Sequence, residues 1–371
     1  MDGHRQMRYR LNRVRLNRFW QYGALGKRLM VALLLCLGLN TPVVAEEAQA
    51  VVLMYHHFGV DQYPSTNVRL EQFDAHLAYI EEAGFAVWPL HKVVDYVRTK
   101  RVFPGKVVAI TIDDAYRSVY TEAYPRLRSR GWPFTVFVAS DGVDNHFKAY
   151  MDWNELREMI RHGARIENHS ASHDYLIRRR AGESGASWRA RMVADIDRAQ
   201  RRITEELGVS PSLFAYPYGE YDVALAKIVR ERGLVAFGQQ SGPVGLDADL
   251  RALPRFPMAE RFAALADFKQ KLNSLAFPIV EVQPWNPVVA RGSAPRMTVV
   301  LGESQARLDQ LSCFVSGQGA VAVTWLNREQ RHFAVQAPAP LPRGRSRYNC
   351  TAPSLQTGRY FWFSHLWIVQ D

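Results

Sequence analysis

Val107 to Tyr120 reads VVAITIDDAYRSVY, and the fold follows from how this stretch is parsed. Val107 to Ile112 is a run of β-branched and apolar residues, the mark of a buried strand, and Ala115 onward reads as a turn into a helix. Between them stand two adjacent carboxylates, Asp113 and Asp114. Ionised carboxylates at the end of a buried strand are costly unless they are paired, hydrogen-bonded or bound to metal. In α/β folds that strand end is also where sites are built. One helix cap plus one surface charge would account for an Asp-Asp pair standing alone. A second stretch about 55 residues downstream, Glu167-Asn168-His169-Ser170-Ala171-Ser172-His173, weighs against so plain a reading.

The neighbouring sequence repeats the same grammar. Val51 to Tyr55 is a short apolar strand with His56 and His57 at its end, and Leu70 to Ala83 has helical periodicity and stops at Gly84. Phe85 to Trp88 and Phe134 to Val138 read as strands; Leu90 to Arg98, Ser118 to Arg130 and Asp152 to Arg161 read as helices. Arg165 to Glu167 is a brief strand leading into the histidines, and Ser187 to Leu207 is a long helix. Leu213 to Tyr216 is a strand ending in Pro217-Tyr218-Gly219, followed by a helix over Tyr221 to Arg232. Leu234 to Phe237 and Ala252 to Phe256 are short strands, and Glu260 to Leu272 is a last helix. Strands alternating with helices imply an α/β fold with a parallel sheet, open or closed into a barrel. Either way, each motif follows a strand and falls on the C-terminal rim.

Near Phe277 the character changes. Residues 278–295 carry Pro278, Pro284, Pro287 and Pro295 and no helical period. Short alternating segments follow to the C-terminus, an all-β domain of about 90 residues, a normal size for a sandwich. Cys313 and Cys350 both lie there, and if residues 1–45, which hold Cys36, are removed as an export signal, these two are an even pair and most simply a disulfide. Tyr348 stands two residues before Cys350 and Trp325 lies between the cysteines, a hint of an immunoglobulin-like core, although 37 residues between cysteines is closer than that family shows. Trp325, Tyr360, Trp362 and Trp367 are candidates for stacking on sugar rings.

The 371 residues are too many for one ordinary core. The net charge of +11 is concentrated at the start: residues 1–45 hold eight basic residues and one acid, which leaves 39 Lys+Arg against 35 Asp+Glu in the remainder. A mildly basic remainder gives no case for nucleic acid. Residues 1–45 read as an export signal: a basic region ending at Lys27-Arg28, an apolar core over Leu29 to Leu39, and Val43 and Ala45 at a small-residue cleavage site. Eleven apolar residues are short for a membrane span. The alternative is an uncleaved anchor holding the protein at the membrane or cell envelope. The expected location is periplasmic or cell-envelope. The division is then 1–45 signal, 46–278 α/β domain and 279–371 β-sandwich domain.

Two histidines four apart, His169 and His173, can point to one side of a tight loop, and with one carboxylate they make the usual three-ligand zinc set, its fourth position open. One aspartate can ligate the metal and the other can take a proton from water as general base. This chemistry hydrolyses amides or esters.

Three ordered motifs here resemble the polysaccharide deacetylases with the NodB homology domain. Thr111-Ile112-Asp113-Asp114-Ala115 is similar to their T-F-D-D-G, His169-Ser170-Ala171-Ser172-His173 matches H-S-x-x-H, and Tyr216-Pro217-Tyr218-Gly219 resembles the later segment ending in Pro-Tyr. The likeness covers roughly residues 48–275. It implies a distorted (β/α) barrel that removes N-acetyl groups from amino-sugar polymers. It further implies Asp113 as base, Asp114, His169 and His173 as metal ligands, and the Tyr218 backbone N–H as oxyanion donor, with Tyr216 and Pro217 lining the substrate.

Three departures stand out. The family glycine is Ala115. The family arginine that partners the catalytic aspartate falls at Ala215, and Arg255, at the end of a late strand, is a substitute by position. The family's late histidine has no counterpart, but Val52-Leu53-Met54-Tyr55-His56 resembles the circularly shifted branch, which includes poly-N-acetylglucosamine deacetylases; there a first-strand histidine serves as acid, the place of His56. Asp152-Trp153 could line the site, or be a helix cap followed by a core tryptophan. The expected function is a metal-dependent N-deacetylase of an N-acetylglucosamine-containing polymer, with zinc first among the metals and cobalt, nickel and iron also suited to the ligands. A non-catalytic glycan-binding protein that keeps the fold and an O-acetyl esterase are the alternatives. Since every motif lies upstream of residue 279, the C-terminal domain is expected to be dispensable for turnover of short oligomers.

Overall fold

The structure, a computed structural model, describes residues 49–370 apart from Thr357 and the Arg261 side chain. The export signal expected over residues 1–45 therefore lies outside the described residues, among which no helix is long and apolar enough to cross a membrane.

Six parallel strands form the frame: β1 (Gln49–Tyr55), β2 (Val107–Asp113), β3 (Phe134–Val138), β4 (Ala164–Asn168), β5 (Leu213–Ala215) and β6 (Val235–Phe237), in that spatial order. Every residue of β1, β2 and β3 is buried, which explains their continuous apolar runs: a parallel sheet covered on both faces leaves no polar side. Period-two alternation divides β1 between two cores. Val51, Leu53 and Tyr55 pack with the helices α1 (Leu70–Glu82) and α3 (Trp153–Arg161); Ala50 and Val52 pack with α2 (Leu90–Arg98), Phe137 and Phe237. The sheet curls almost shut. Leu253 bridges to Phe237, and Phe256–Pro257 pairs in parallel with Leu53 and Met54, so residues 253–257 carry the ladder from the last strand back to the first. The expected distorted (β/α) barrel is the observed one.

Between the Asp pair and Arg128 the expected single helix is broken into a wide π-helical turn, Val119–Ala123, and a short α-helical stretch, Tyr124–Arg128. Pro125 is the cause: it has no N–H to donate and is tolerated only in a first helical turn. The long helix α4 (Gly185–Leu207) ends at Gly208, whose φ of 66° is the left-handed cap that glycine accepts freely. A further helix, α5 (Val223–Glu231), covers β5 and β6.

The C-terminal strands form two sheets. One has the order β7 (Leu275–Ala276), β16 (Tyr360–Val369), β15 (Gly344–Pro353), β11 (Ser312–Val315), β12 (Gly319–Val321), with β9 (Val288–Val289) also on β16. The other runs β8 (Ile279–Gln283), β10 (Arg296–Leu301), β14 (His332–Gln336), β13 (Val323–Asn327). Met297, Val299, Phe333, Val315, Tyr348 and Trp367 fill the space between them. Residues 278–295, in which no strand was expected, contribute β8 and β9, and Pro278, Pro284 and Pro287 fall just outside these strands, where a missing N–H costs no ladder bond. Cys313 and Cys350 are disulfide-bonded. They face each other on neighbouring strands of one sheet, so the bridge is not the inter-sheet bond of an immunoglobulin core. Trp367 is fully buried, which removes it from the sugar-stacking candidates. Leu366 and Ile368 of β16 share a core with Phe214, Tyr216 and Leu225 of the barrel, and β7 pairs with β16, so the sandwich is joined to the barrel by both sheet and core.

Candidate active site

Because the strands are parallel and the sheet curls shut, their C-terminal ends converge. Asp113 ends β2, His56 follows β1, His169 follows β4, Tyr216 to Tyr218 follow β5, and Arg255 sits in the closing segment. Backbone strain concentrates here. Asp114, Ala115, Ser170, His173 and Tyr218 account for five of the nine non-glycine residues with positive φ among the described residues. Such conformations persist only where surrounding structure over-determines them, and they gather at functional sites.

The histidine loop is fixed by polar contacts. Ser170 N–H donates to Asn168 Oδ1 (2.8 Å), and His173 N–H to Ser170 Oγ (3.0 Å). The Asp195 carboxylate, reaching in from α4, accepts from Ala171 N–H (3.3 Å) and Ser172 N–H (3.1 Å). His169 Nδ1 donates to the Ala215 carbonyl at 2.7 Å, which leaves Nε2 as a bare lone pair. The Nε2 atoms of His169 and His173 stand 3.1 and 3.0 Å from the same oxygen, Asp114 Oδ1. Yet Asp114 Oδ1 and His169 Nε2 are buried without a hydrogen-bond partner. One ligand atom from each of Asp114, His169 and His173 lies within 4.8 Å of the others. Three convergent ligand atoms, two of them unpartnered, fit a divalent cation held by two imidazoles and a carboxylate. The electrostatics agree. Burial pushes the Asp114 carboxyl up, but the two imidazoles outweigh it and hold it well below the usual range; burial pushes His173 down, and the Asp114 charge more than reverses that.

Asp113 is wholly buried and is clasped end-on by Arg255, Nη1 to Oδ1 at 2.7 Å and Nη2 to Oδ2 at 2.8 Å. Arg255 is itself fixed by Nε to the Gly238 carbonyl (3.0 Å) and Nη1 to Thr111 Oγ1 (3.2 Å). Burial raises the Asp113 carboxyl, and the charges of Arg255 and His169 and the Arg255 hydrogen bonds override it, so Asp113 stays ionised below its ordinary range. His56 Nε2 stands 3.8 Å from Asp113 Oδ2; burial lowers its pKa against the pull of Asp114 and Asp113. His57 turns elsewhere: its Nδ1 meets Thr66 Oγ1 at 3.0 Å and its ring lies between Tyr63 and Tyr116.

Four of the substrate-lining candidates do other work. Tyr216 is fully buried with its hydroxyl on the Arg251 carbonyl (2.9 Å), and Pro217 is buried at the start of a 3-10 turn. Asp152 caps α3 by accepting from Glu155 N–H (2.8 Å), with Glu155 returning the bond in a capping box. Trp153 packs in the core with Nε1 on Asp144 Oδ1 (2.9 Å). Tyr218 is at the rim, its ring stacked on Tyr175 (4.0 Å) and edge-on to His173 (4.7 Å). The sequence reading missed Asp195 and the Ala215 carbonyl, which support the histidines, and a bank of rings beside Asp114, where Tyr116 contacts His57 (3.7 Å) and Tyr150 (5.0 Å). An aspartate in mid-helix and a backbone carbonyl carry no local signal; the rings of Tyr116 and Tyr150 lie 34 positions apart.

Residues 100–237 match the family model described as polysaccharide deacetylase. The poly-beta-1,6-N-acetyl-D-glucosamine N-deacetylase of Escherichia coli (strain K12) is 22% identical over 241 residues, 56% of this chain and 35% of that protein. The protein of the same name from Staphylococcus aureus (strain MRSA252) is 24% identical over 185 residues, 49% of this chain and 63% of that protein. The chain thus spans less than two thirds of either relative. Among solved structures, IcaB from Ammonifex degensii is similar with a TM-score of 0.53 and 24% identity, covering 60% of this chain and 97% of that one, a likeness of fold. With the barrel and three ordered motifs already in place, the match over residues 100–237 identifies a polysaccharide deacetylase domain of the NodB type within this chain.

Proposed function

We propose that residues 46–278 are an N-deacetylase domain acting on an N-acetylglucosamine-containing polymer, that residues 279–371 are an accessory β-sandwich domain, and that the chain is exported to the periplasm or cell envelope. The observation that carries this reading is the placing on one rim of an ionised, arginine-held aspartate beside a two-histidine, one-carboxylate cluster. Asp114, His169 and His173 would hold the metal, zinc by the preference of such ligands. When bound, it supplies Lewis acidity toward the acetamide carbonyl and toward water. Asp113 accepts a proton from water as the oxygen attacks the carbonyl carbon, and Arg255 keeps both of its oxygens in place. The Tyr218 N–H donates to the carbonyl oxygen as negative charge develops. His56 gives a proton to the nitrogen as the C–N bond breaks, so that acetate and a free amine leave. The names of the relatives nominate poly-β-1,6-N-acetylglucosamine as the polymer. Acetate release from that polymer, peptidoglycan, chitin oligomers and an O-acetylated glycan, with and without chelator, tests the reading. No chelator-sensitive release from any N-acetylated glycan would refute it, and release from the ester alone would make the protein an esterase.

A further inference from the structure

The turn that carries Tyr218 is held from the C-terminal sandwich. On β15 the even-numbered residues Ser346, Tyr348, Cys350 and Ala352 face the sandwich core, so Arg345 and Arg347 project together from the opposite face. The Arg345 guanidinium donates through Nη1 to the Tyr218 carbonyl and lies 5.9 Å from the Tyr218 ring centroid. Its Nε is 3.8 Å from Glu220 Oε1, a carboxylate only 2% exposed. Arg347 donates to the Gln239 carbonyl at 3.0 Å. The two grips meet: a Cβ on Gly219 would fall 2.6 Å from Gln239 Cβ, so the Tyr218-Gly219 turn lies directly on the residue that Arg347 holds.

The turn needs such support. Tyr218 has φ 59° and Gly219 φ 70°, two successive left-handed residues, the first of which pays a steric cost that glycine would not. A residue in that state keeps its place only if its neighbours enforce it. Fixing the peptide plane on the C-terminal side of Tyr218 restricts the plane on its N-terminal side, which carries the Tyr218 N–H. The Tyr218 ring also lies against His173, so the same grip steadies a neighbour of the metal cluster.

We propose that Arg345 is a positioning residue for catalysis: by holding the Tyr218 carbonyl, the C-terminal domain sets the oxyanion donor of the barrel, with Arg347 bracing the turn behind it. The proposal rests on the deacetylase reading, with Tyr218 as oxyanion donor. It reverses the expectation that this domain is dispensable for turnover of short oligomers.

The test uses the full chain and acetate release from a soluble β-1,6-linked N-acetylglucosamine trimer. Arg345→Met is expected to lower kcat roughly 10- to 100-fold, the scale of a misplaced rather than deleted oxyanion donor, with KM changed less than about threefold. Metal content and the urea midpoint should be kept. Arg345→Lys, which retains one cationic donor, should recover part of kcat, and Arg345→Gln should lie between Met and Lys. Acetate as a product inhibitor should bind more weakly to Arg345→Met, since its carboxylate uses the same donor. Wild-type kcat in Arg345→Met while the wild-type enzyme is active would overturn the clamp alone. So would a loss of kcat that tracks lost metal or lost stability, or that lysine does not relieve. No acetate release by the wild-type protein from any glycan would overturn the deacetylase reading and the clamp with it.

Discussion

Replacing Arg255 with methionine isolates the interaction on which the proposed base depends. Both residues of the pair have no exposed side-chain surface, and the two guanidinium–carboxylate bonds measure 2.7 and 2.8 Å. Methionine fills most of the stem and removes the charge, so Asp113 is left buried with its countercharge gone. Breaking a buried ion pair from one side costs about 3–5 kcal/mol. Two charge-assisted bonds at about 1.5–3 kcal/mol each give about 3–6 kcal/mol, an overlapping range. Most of that loss is an unpaired charge, so Arg255→Met combined with Asp113→Asn should be more stable than Arg255→Met alone, by about 2 kcal/mol.

The pH dependence has a definite sign. In the wild-type protein the Asp113 pKa is depressed, so its contribution to stability is full above the unfolded value of about 3.9 and is lost as pH falls through the depressed one. Without Arg255, burial acts on the carboxyl with far less opposition and drives its pKa upward. The deficit of Arg255→Met should therefore be largest near neutral pH and shrink toward acid, and the acid limb of its pH–rate profile should move up. Urea titrations of chelated protein from pH 4.5 to 8, on the wild type, both single variants and the double variant, measure the cycle. A cost for Arg255→Met below about 1 kcal/mol, or a double variant no more stable than the single one, would refute the reasoning.

Chelation should abolish acetate release and zinc or cobalt should restore it; alanine at His169 or His173 should lose bound metal by elemental analysis, whereas Asp113→Asn should keep metal and lose turnover. His56→Ala should keep metal and fold but lower kcat by roughly 10²–10⁴, with His57→Ala much milder, and near-normal kcat in His56→Ala would require another acid. Ala115, at φ 63°, occupies a glycine-like conformation, so Ala115→Gly should raise the unfolding free energy by up to about 1 kcal/mol, and a clear fall would show that the strain lies elsewhere. His76 is fully buried, with Nε2 at 2.8 Å from the Ala263 carbonyl and a pKa pushed down to about 4 mainly by burial. Its pKa is near 6.5 when unfolded, so the wild type should lose stability relative to His76→Gln as pH falls from 6.5 to 4, by up to about 1.4 kcal/mol per pH unit, and a flat difference would disprove the neutral buried state.

Much of the barrel was legible because a doubly covered parallel strand leaves an uninterrupted apolar run, as in Val107–Asp113 and Phe134–Val138. The cap at Asp152 was legible too, since its box partner Glu155 stands three residues on. What failed to read was whatever depended on a distant partner. Tyr216 follows a strand just as Tyr218 does, but only the fold shows that its hydroxyl goes to Arg251. The strand over 279–283 was hidden because prolines at its ends raise the proline count of the window without entering the ladder.

Arg255 shows why motif spacing alone falls short. A carboxylate as buried as Asp113 needs a countercharge, and that requirement fixes a point in space, not a place in the sequence. Arg255 reaches it from 142 residues away, whereas at Ala215 the backbone carbonyl is used instead, to orient His169. His56 likewise comes to within 3.8 Å of Asp113 from the end of β1, neighbour to β2 in the sheet. In an open sheet the strand ends lie along a line, and an arginine from the last strand could not reach an aspartate on the second. Here residues 253–257 carry the ladder from β6 round to β1. A curled sheet turns every strand end toward one centre, so a group can leave one strand and be supplied from another without moving in space. Closure is the condition for the departures seen in the motifs: the arginine missing at the end of β5 returns in the segment that shuts the barrel.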